Sequence, residues 1–205
     1  MGVISNGTTL LDAGAIDSGI PTGAMTLIKT LTASSSATLD FLNGASNVVF
    51  DGTYDVYVFK FINIHPATNS VKFQFQADTG TNTNYNQAIT STMFESYHAE
   101  GDGAQGLGYE AGHDQAQGTG FETLVINVGS DNDQSISGVL RLFNPSSAVF
   151  VKHFMSTINC SSQNDNSQND FKAGYFNTTT ALTRVRFKMS SGNIDSGIIK
   201  LYGIK

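Results

Sequence analysis

The chain of 205 residues is long enough for one large all-β domain with its own core, or for such a domain and an arm. Charged residues make up only 14% of it, below the roughly 25% of an ordinary soluble domain, so uncharged polar side chains supply most of the polar surface. A net charge of −6 without a basic cluster argues against a nucleic-acid partner, and the lack of an apolar run of about 18 residues argues against a membrane partner.

Residues 1–24 have the pattern of an extended arm. Five glycines and Pro21 interrupt any regular period, while short apolar groups recur between them. We predict that this arm packs on a neighbouring subunit or on its own domain through five apolar side chains, namely Val3, Ile4, Leu10, Leu11 and Ile16. A disordered terminus is the alternative that the composition leaves open.

Beyond residue 24, strand patterns alternate with turn residues, which is typical of a sandwich or barrel. The segments with this pattern are Met25–Leu31, Ala37–Leu42, Tyr54–Ile64, 71–75, Phe121–Val128, Ser135–Phe143, Ala148–Ile158, 185–189 and Ser196–Gly203. Ala88–Glu100 fits either a strand or a short helix. We therefore predict that residues 25–205 form an all-β, two-sheet, jelly-roll-like β-sandwich of about eight to ten strands.

The apolar positions of these segments predict the core. Alternation places every second side chain on one face of a strand, and the large apolar side chains follow that period. The predicted core residues are Val56, Val58, Phe59, Phe61, Phe73, Phe75, Leu140, Leu142, Val185, Phe187 and Leu201. The basic side chains of Arg184, Arg186 and Lys188 alternate with core positions, so we expect them on the solvated face of one strand.

Two polar segments are predicted to be loops. Residues 99–120 contain seven glycines, and residues 161–170 are a low-complexity polar tract. Long loops on a rigid sandwich often bind ligands, so the first segment is a candidate binding loop. Its candidate residues are His98, Glu100, Tyr109, Glu110 and His113.

The sequence offers no convincing catalytic centre. The carboxylates near residues 99–120, including Glu95, fit a metal site or a two-carboxylate glycosidase, but a hydrated loop explains them more simply. Gly101–Gly106 matches a dinucleotide-binding pattern, yet no helix can begin after it. The Asx-rich stretches 131–133 and 164–166 fit turns better than calcium loops. We predict a protein that is not an enzyme, with no catalytic, cofactor-binding or metal-binding residues and no cofactor.

The stretch 191–204 fits the pattern SGNI.SG..KLYGI and resembles the end of small virion proteins of tailed bacteriophages. Three further stretches resemble the same proteins, namely 4–9, 61–66 and 175–182. The resemblance implies a structural protein located in the virion and assembled in the host cytoplasm, without catalytic residues. Capsid decoration or cementing is the first expectation, and a tail-fibre or receptor-binding head that contacts host surface glycans is the alternative. A homotrimer is implied, with the major capsid protein or tail components as partners.

Overall fold

The computed structural model describes residues 3–5, 8–12, 15–16 and 25–205. All regular elements in these ranges are β-strands. None of the described residues belongs to a helix that is long and apolar enough to cross a membrane.

The first three strands pair only briefly with one another. They are β1 (Val3–Ser5), β2 (Thr8–Asp12) and β3 (Ala15–Ile16), and they form an antiparallel sheet in the order β1-β2-β3. The side chains of Val3 and Ile4 are exposed. The side chains of Leu10, Leu11 and Ile16 lie outside the described part of the chain, so the docking of the arm stays a prediction.

Thirteen strands follow within residues 25–205. In chain order they are β4 (Thr26–Thr32), β5 (Leu39–Leu42), β6 (Val56–Pro66), β7 (Val71–Thr79), β8 (Ile89–Ala99), β9 (Gln105–Tyr109), β10 (Ala116–Gly118), β11 (Glu122–Val128), β12 (Ile136–Phe143), β13 (Lys152–Ser161), β14 (Asn166–Phe176), β15 (Leu182–Met189) and β16 (Ile194–Ile204).

These strands form two antiparallel sheets. The large sheet has nine strands in the order β10-β8-β14-β13-β12-β6-β16-β4, and β9 pairs additionally with β8. The small sheet has four strands in the order β11-β7-β15-β5. The prediction of an all-β, two-sheet sandwich is confirmed, while the jelly-roll connectivity stays a prediction.

Aromatic side chains join the two sheets face to face. The ring of Phe187, on β15, lies 5.1 Å from the ring of Phe59 and 5.3 Å from that of Phe61, both on β6. The ring of Phe75, on β7, lies 5.0 Å from that of Phe154 on β13. The strands form because apolar residues recur every second position, and a pleated strand presents them all to the opposite sheet.

Most of the expected core is present. Every predicted core residue except Val56 is buried, and Val56 is half-buried at the start of β6. The expected strand number is too low, because β8, β9, β10 and β14 were not counted among the predicted strands. β8 comes from the ambiguous segment, β9 and β10 come from residues 99–120, and β14 begins in the polar tract and continues beyond it to Phe176.

The C-terminal stretch 191–204 contains β16, whose pairing with β6 is irregular. The pairing shifts between Ile194 and Ile198, and Gly197 has φ of 114° there. A Cβ at Gly197 would lie 2.5 Å from the carbonyl oxygen of Asn63, so only glycine fits this bulge. Two of the stretches that carry the phage resemblance, 61–66 and 191–204, are therefore hydrogen-bonded neighbours.

Candidate functional site

Residues 99–120 form the edge of the large sheet, so the prediction of one long loop is wrong. β9 pairs with the second half of β8, and β10 pairs with its beginning. Gly106 permits the first pairing, since a Cβ there would lie 2.8 Å from Cε1 of Tyr97. Gly101–Gly106 is a turn that leads into a strand, which is not the geometry of a dinucleotide site.

The candidate residues of this segment lie in two separate groups. His98 and Glu100 are exposed at the end of β8, where His98 Nε2 lies 3.3 Å from a carboxylate oxygen of Asp102. Tyr109 pairs instead with Phe94, four residues before His98 on the same strand. At about 3.3 Å per residue, the two groups are roughly 13 Å apart.

The second group contains Tyr109, Glu110 and His113. The exposed hydroxyl of Tyr109 donates a hydrogen bond to the carboxylate of Asp114. His113 is half-buried and its Nδ1 has no hydrogen-bond partner among the described residues. Burial lowers the pKa of His113 and thus favours the neutral ring. No group of three or more His, Cys, Asp or Glu side chains in the described ranges is arranged to hold a metal ion.

The polar tract 161–170 also differs from its prediction as a loop. Only residues 162–165 form the turn, and Asn166 begins β14. Gln168 and Asp170 are buried because each has directed partners. Gln168 Nε2 donates to the carbonyl oxygen of Ile126 at 3.2 Å, and the Ile126 N–H donates to Asp170 Oδ2 at 3.2 Å.

The two polar segments meet and form a cleft. Ala99 pairs with Asn166, and the Glu100 N–H donates to the carbonyl oxygen of Asp165 at 3.0 Å. The cleft beside this junction has a volume of about 620 Å³. Its polar lining consists of Glu95, Tyr97, Asn127, Asn164, Asn166 and Gln168. We call it the amide cleft.

Several polar groups of the amide cleft have no partner. The side-chain amides of Asn127, Asn164 and Asn166 and the hydroxyl of Tyr97 make no hydrogen bond within the described part of the chain. Glu95 Oε2 is inaccessible to solvent and has no partner among the described residues. Polar groups next to a cleft are normally satisfied by protein or water, so these are free to bind a ligand with hydroxyl or amide groups.

Carboxyl groups surround the inner end of the cleft. Glu95 on β8 lies directly opposite Asp170 on β14. Burial raises the pKa of Asp170 to about 7, although hydrogen bonds from Gln168 and Ile126 act against this change. Burial, with a smaller effect of Glu110, also raises the pKa of Glu95. Like charges on facing strands repel, so the uncharged forms are favoured here.

A buried ion pair lies further along the same interior. Lys172 Nζ is 2.5 Å from Glu122 Oε1, and both side chains are inaccessible to solvent. The other oxygen of Glu122 accepts hydrogen bonds from Ser91 Oγ at 3.0 Å and Gln115 Nε2 at 3.1 Å. Burial shifts the pKa of each partner towards its neutral form, and their mutual contact opposes that shift. We assign the pair a structural role, because each charge is satisfied within the protein.

The opposite face of the large sheet carries exposed apolar side chains. Phe94 and Phe171 stack with ring centroids 4.7 Å apart, and Phe94 and Met155 are about half exposed. Hollows of about 410 and 200 Å³ lie beside them. We define the outer-face patch as Phe94, Phe143, Met155, Phe171 and Tyr175. Exposed apolar groups clustered in this way indicate a surface for another molecule.

Three basic side chains of β15 and a buried cysteine also have defined positions. Arg184, Arg186 and Lys188 share one face of β15, as predicted. Arg186 forms two hydrogen bonds to Asp40, at 2.6 and 2.7 Å. Cys160 is fully buried, and burial raises the pKa of its thiol to about 12, which leaves it unreactive at neutral pH.

The sequence did not single out Asn127, Gln168 or Asp170 as site residues. Asn127 lies in a stretch that the sequence identifies only as a strand, and its φ of 56° at an irregular pairing of β11 was not visible in the pattern. Gln168 and Asp170 were noted only as members of a polar tract. The one available signal was the alternation of Gln168, Asp170 and Lys172 with their neighbours, which has the period of a strand.

Comparisons with known proteins do not assign the chain to a family. No family model matches the chain, and neither a curated protein nor a solved structure matches it. Function is therefore inferred from the amide cleft, the outer-face patch and the sequence resemblance.

Proposed function

We propose that this chain is a non-enzymatic structural protein of a bacteriophage virion, and that it decorates or cements the capsid as a homotrimer. The observation that carries this proposal is the outer-face patch, which spans β8, β14, β13 and β12. Its exposed side chains lie on a rigid sheet, where burial against another protein surface would be favourable.

The stretches that carry the phage resemblance support a structural role. Residues 61–66 and 191–204 form the irregular, bulged part of the pairing between β6 and β16. Residues 175–182 end β14 and lead to β15, and the carbonyl oxygen of Thr178 accepts a hydrogen bond from the buried Lys152 Nζ at 3.0 Å. These residues shape the sandwich, which supports a structural role.

We assign the outer-face patch to contacts between copies of this chain. The exposed Val3 and Ile4 supply further apolar surface, and closed symmetry is the common outcome when a chain associates with itself. The assembled trimer would present its remaining surface to the major capsid protein. The three-fold number itself comes from the resemblance alone.

Light scattering of the full-length chain tests this assignment. The wild-type protein is expected at three times the monomer mass, and Met155→Lys should shift it towards the monomer because a charge at the patch must be desolvated. Asn169→Lys is the matched control, on the same outer face but outside the patch. A monomeric wild type, or equal effects of both variants, would contradict the proposal.

The alternative function is a receptor-binding head on the tail. The observation in its favour is the amide cleft, in which the two polar segments meet. The number of copies per purified virion separates the two functions. A shell protein is present in many copies around the capsid, whereas a tail head is present in few.

A further inference from the structure

We propose that the amide cleft binds one sugar unit of a neutral glycan. This inference goes beyond the position of the protein in the virion, since both a shell protein and a tail head can carry such a cleft. It rests on the cleft and not on the outer-face patch, so the two proposals can fail separately.

The chemistry of the lining fits a sugar. Neighbouring hydroxyl groups of a pyranose ring both donate and accept hydrogen bonds, and a primary amide such as Asn127, Asn164 or Asn166 offers both functions. The aromatic ring of Tyr97 supplies an apolar wall for the C–H face of a sugar.

The ring of Tyr97 and the backbone of Asn127 are held in place before any ligand arrives. The ring of Tyr97 lies against Gly106 of the neighbouring β9, where any larger residue would displace it. Asn127 has a left-handed backbone conformation, and its carbonyl oxygen accepts the N–H of Gln163 at 3.0 Å. Preorganised groups lose less conformational entropy on binding, and this raises the affinity for a ligand that makes only weak contacts, such as a sugar.

The charge around the cleft selects against acidic sugars. Asp102 and Asp165 belong to the turns that adjoin the cleft, and the carboxyl group of Glu95 is part of its wall. The lining contains no lysine or arginine. A sialic or uronic acid would place its carboxylate among these groups without a cation to pair with, so neutral sugars are the expected class.

The size of the cleft limits the ligand. Its volume of about 620 Å³ falls within the range of small-molecule sites and accommodates one or two sugar rings. A single site with a few uncharged hydrogen bonds is expected to bind with a Kd of about 1 mM. A homotrimer would carry three such clefts and gain avidity towards a repeating glycan.

The binding experiment uses the full-length chain and saturation-transfer NMR. The probes are lactose, maltose and diacetylchitobiose at about 10 mM, with sialyllactose as the acidic counterpart of lactose. We expect transfer to at least one neutral disaccharide. If lactose is a ligand, sialyllactose should bind more weakly.

Variants locate the binding. Asn164→Ala, in the turn, and Gly106→Ala, which displaces Tyr97, should each weaken binding roughly fivefold, the effect of one lost hydrogen bond or contact. Asn169→Ala is the control, because this asparagine lies on the opposite face of β14 and should leave binding unchanged. Circular dichroism confirms that each variant remains folded.

Three results would overturn the inference. The first is that no neutral disaccharide shows saturation transfer. The second is that sialyllactose binds as tightly as lactose or more tightly. The third is that Asn164→Ala and Gly106→Ala both leave binding intact. None of them affects the oligomeric state, so a trimer without sugar binding would leave the assembly proposal standing.

Discussion

The interior of this sandwich has an aromatic end and a polar end. At the aromatic end, the ring of Phe187 contacts rings from both sheets, including Phe41, Phe59 and Phe73. At the polar end, the equivalent inward positions of β14 carry Gln168, Asp170 and Lys172. Both ends are equally inaccessible to solvent, although their chemistry is opposite.

The difference shows how each end gains its stability. Burial of the aromatic rings is favourable in any arrangement that excludes water. The polar side chains are favourable only when each finds its partner, as Lys172 does in Glu122. We therefore expect the aromatic end to supply stability and the polar end to supply a defined geometry beside the amide cleft. Four substitutions test this division, in decreasing order of expected effect.

Phe187→Ala should have the largest effect. Removal of this ring leaves a cavity among at least five other phenylalanine rings, and the free energy of unfolding should fall by about 3–5 kcal/mol. Urea denaturation measures it. Phe150→Ala is the control, because that ring is largely exposed and should cost less than about 1 kcal/mol. Equal effects of the two variants would show that the aromatic end does not dominate.

Lys172→Met should destabilise the polar end by about 3 kcal/mol, because it leaves the carboxylate of Glu122 buried without a counter-charge. The double variant Glu122→Leu/Lys172→Met removes both charges and should recover most of the loss. Urea denaturation of the three proteins at neutral pH gives the comparison. A double variant that is no more stable than Lys172→Met would show that the unpaired carboxylate of Glu122 is not the cause of the loss.

Asp170→Asn should change how stability depends on pH. The pKa of Asp170 is about 7 in the folded protein and near 3.8 when unfolded, so the folded state binds this proton more tightly. Its contribution is complete below pH 4 and is lost as the pH rises through 7. Between pH 5 and 8, the wild type should lose roughly 2 kcal/mol more than Asp170→Asn.

The comparison of these two proteins isolates Asp170 from the neighbouring groups. Glu95 faces it from β8, Cys160 from β13 and Lys172 along its own strand. These groups are present in both proteins. Parallel pH profiles of the wild type and Asp170→Asn, measured by thermal denaturation, would show that Asp170 has an ordinary pKa.

Gln168→Ala should have the smallest of the four effects, about 1 kcal/mol, because it removes hydrogen bonds to Ile126 and Asp170. Asn164→Ala, in the turn of the same polar tract, should change stability by less than about 0.5 kcal/mol. Thermal denaturation of the two variants measures this difference, which is expected if Gln168 lies in a strand and Asn164 in a turn. Equal tolerance at both positions would favour the loop predicted from the sequence.

The same division explains what the sequence could and could not predict. Strands such as β7 and β15 were predictable because their inward residues are apolar and alternate with polar ones. β14 was not, since its inward residues Gln168, Asp170 and Lys172 are more polar than the outward Phe171 and Tyr175, the reverse of the usual pattern. Their burial depends on partners such as Ile126 and Glu122 of β11. β9 and β10 are short and rich in glycine, and they become strands only because β8 offers an edge.

The amide cleft was predictable only in part. The two polar segments were recognised as candidates for binding, and the structure brings parts of both to one cleft. The individual residues of the cleft could not be predicted, because Asn127 comes from a third segment and reaches the cleft through an irregular strand pairing. No local pattern encodes a distance between segments that are separated in sequence.

The position of β16 between β6 and β4 affects how the chain folds. Leu201 pairs with Phe59, and Ile198 pairs with Thr32, so this end of the large sheet joins residues from opposite parts of the sequence. Bringing such distant segments together costs chain entropy before any contact forms. A sheet with this contact order folds slowly, on a timescale of roughly milliseconds to seconds. Until β16 arrives, the edges of β6 and β4 remain open, and the unfinished sheet is vulnerable to pairing with another chain.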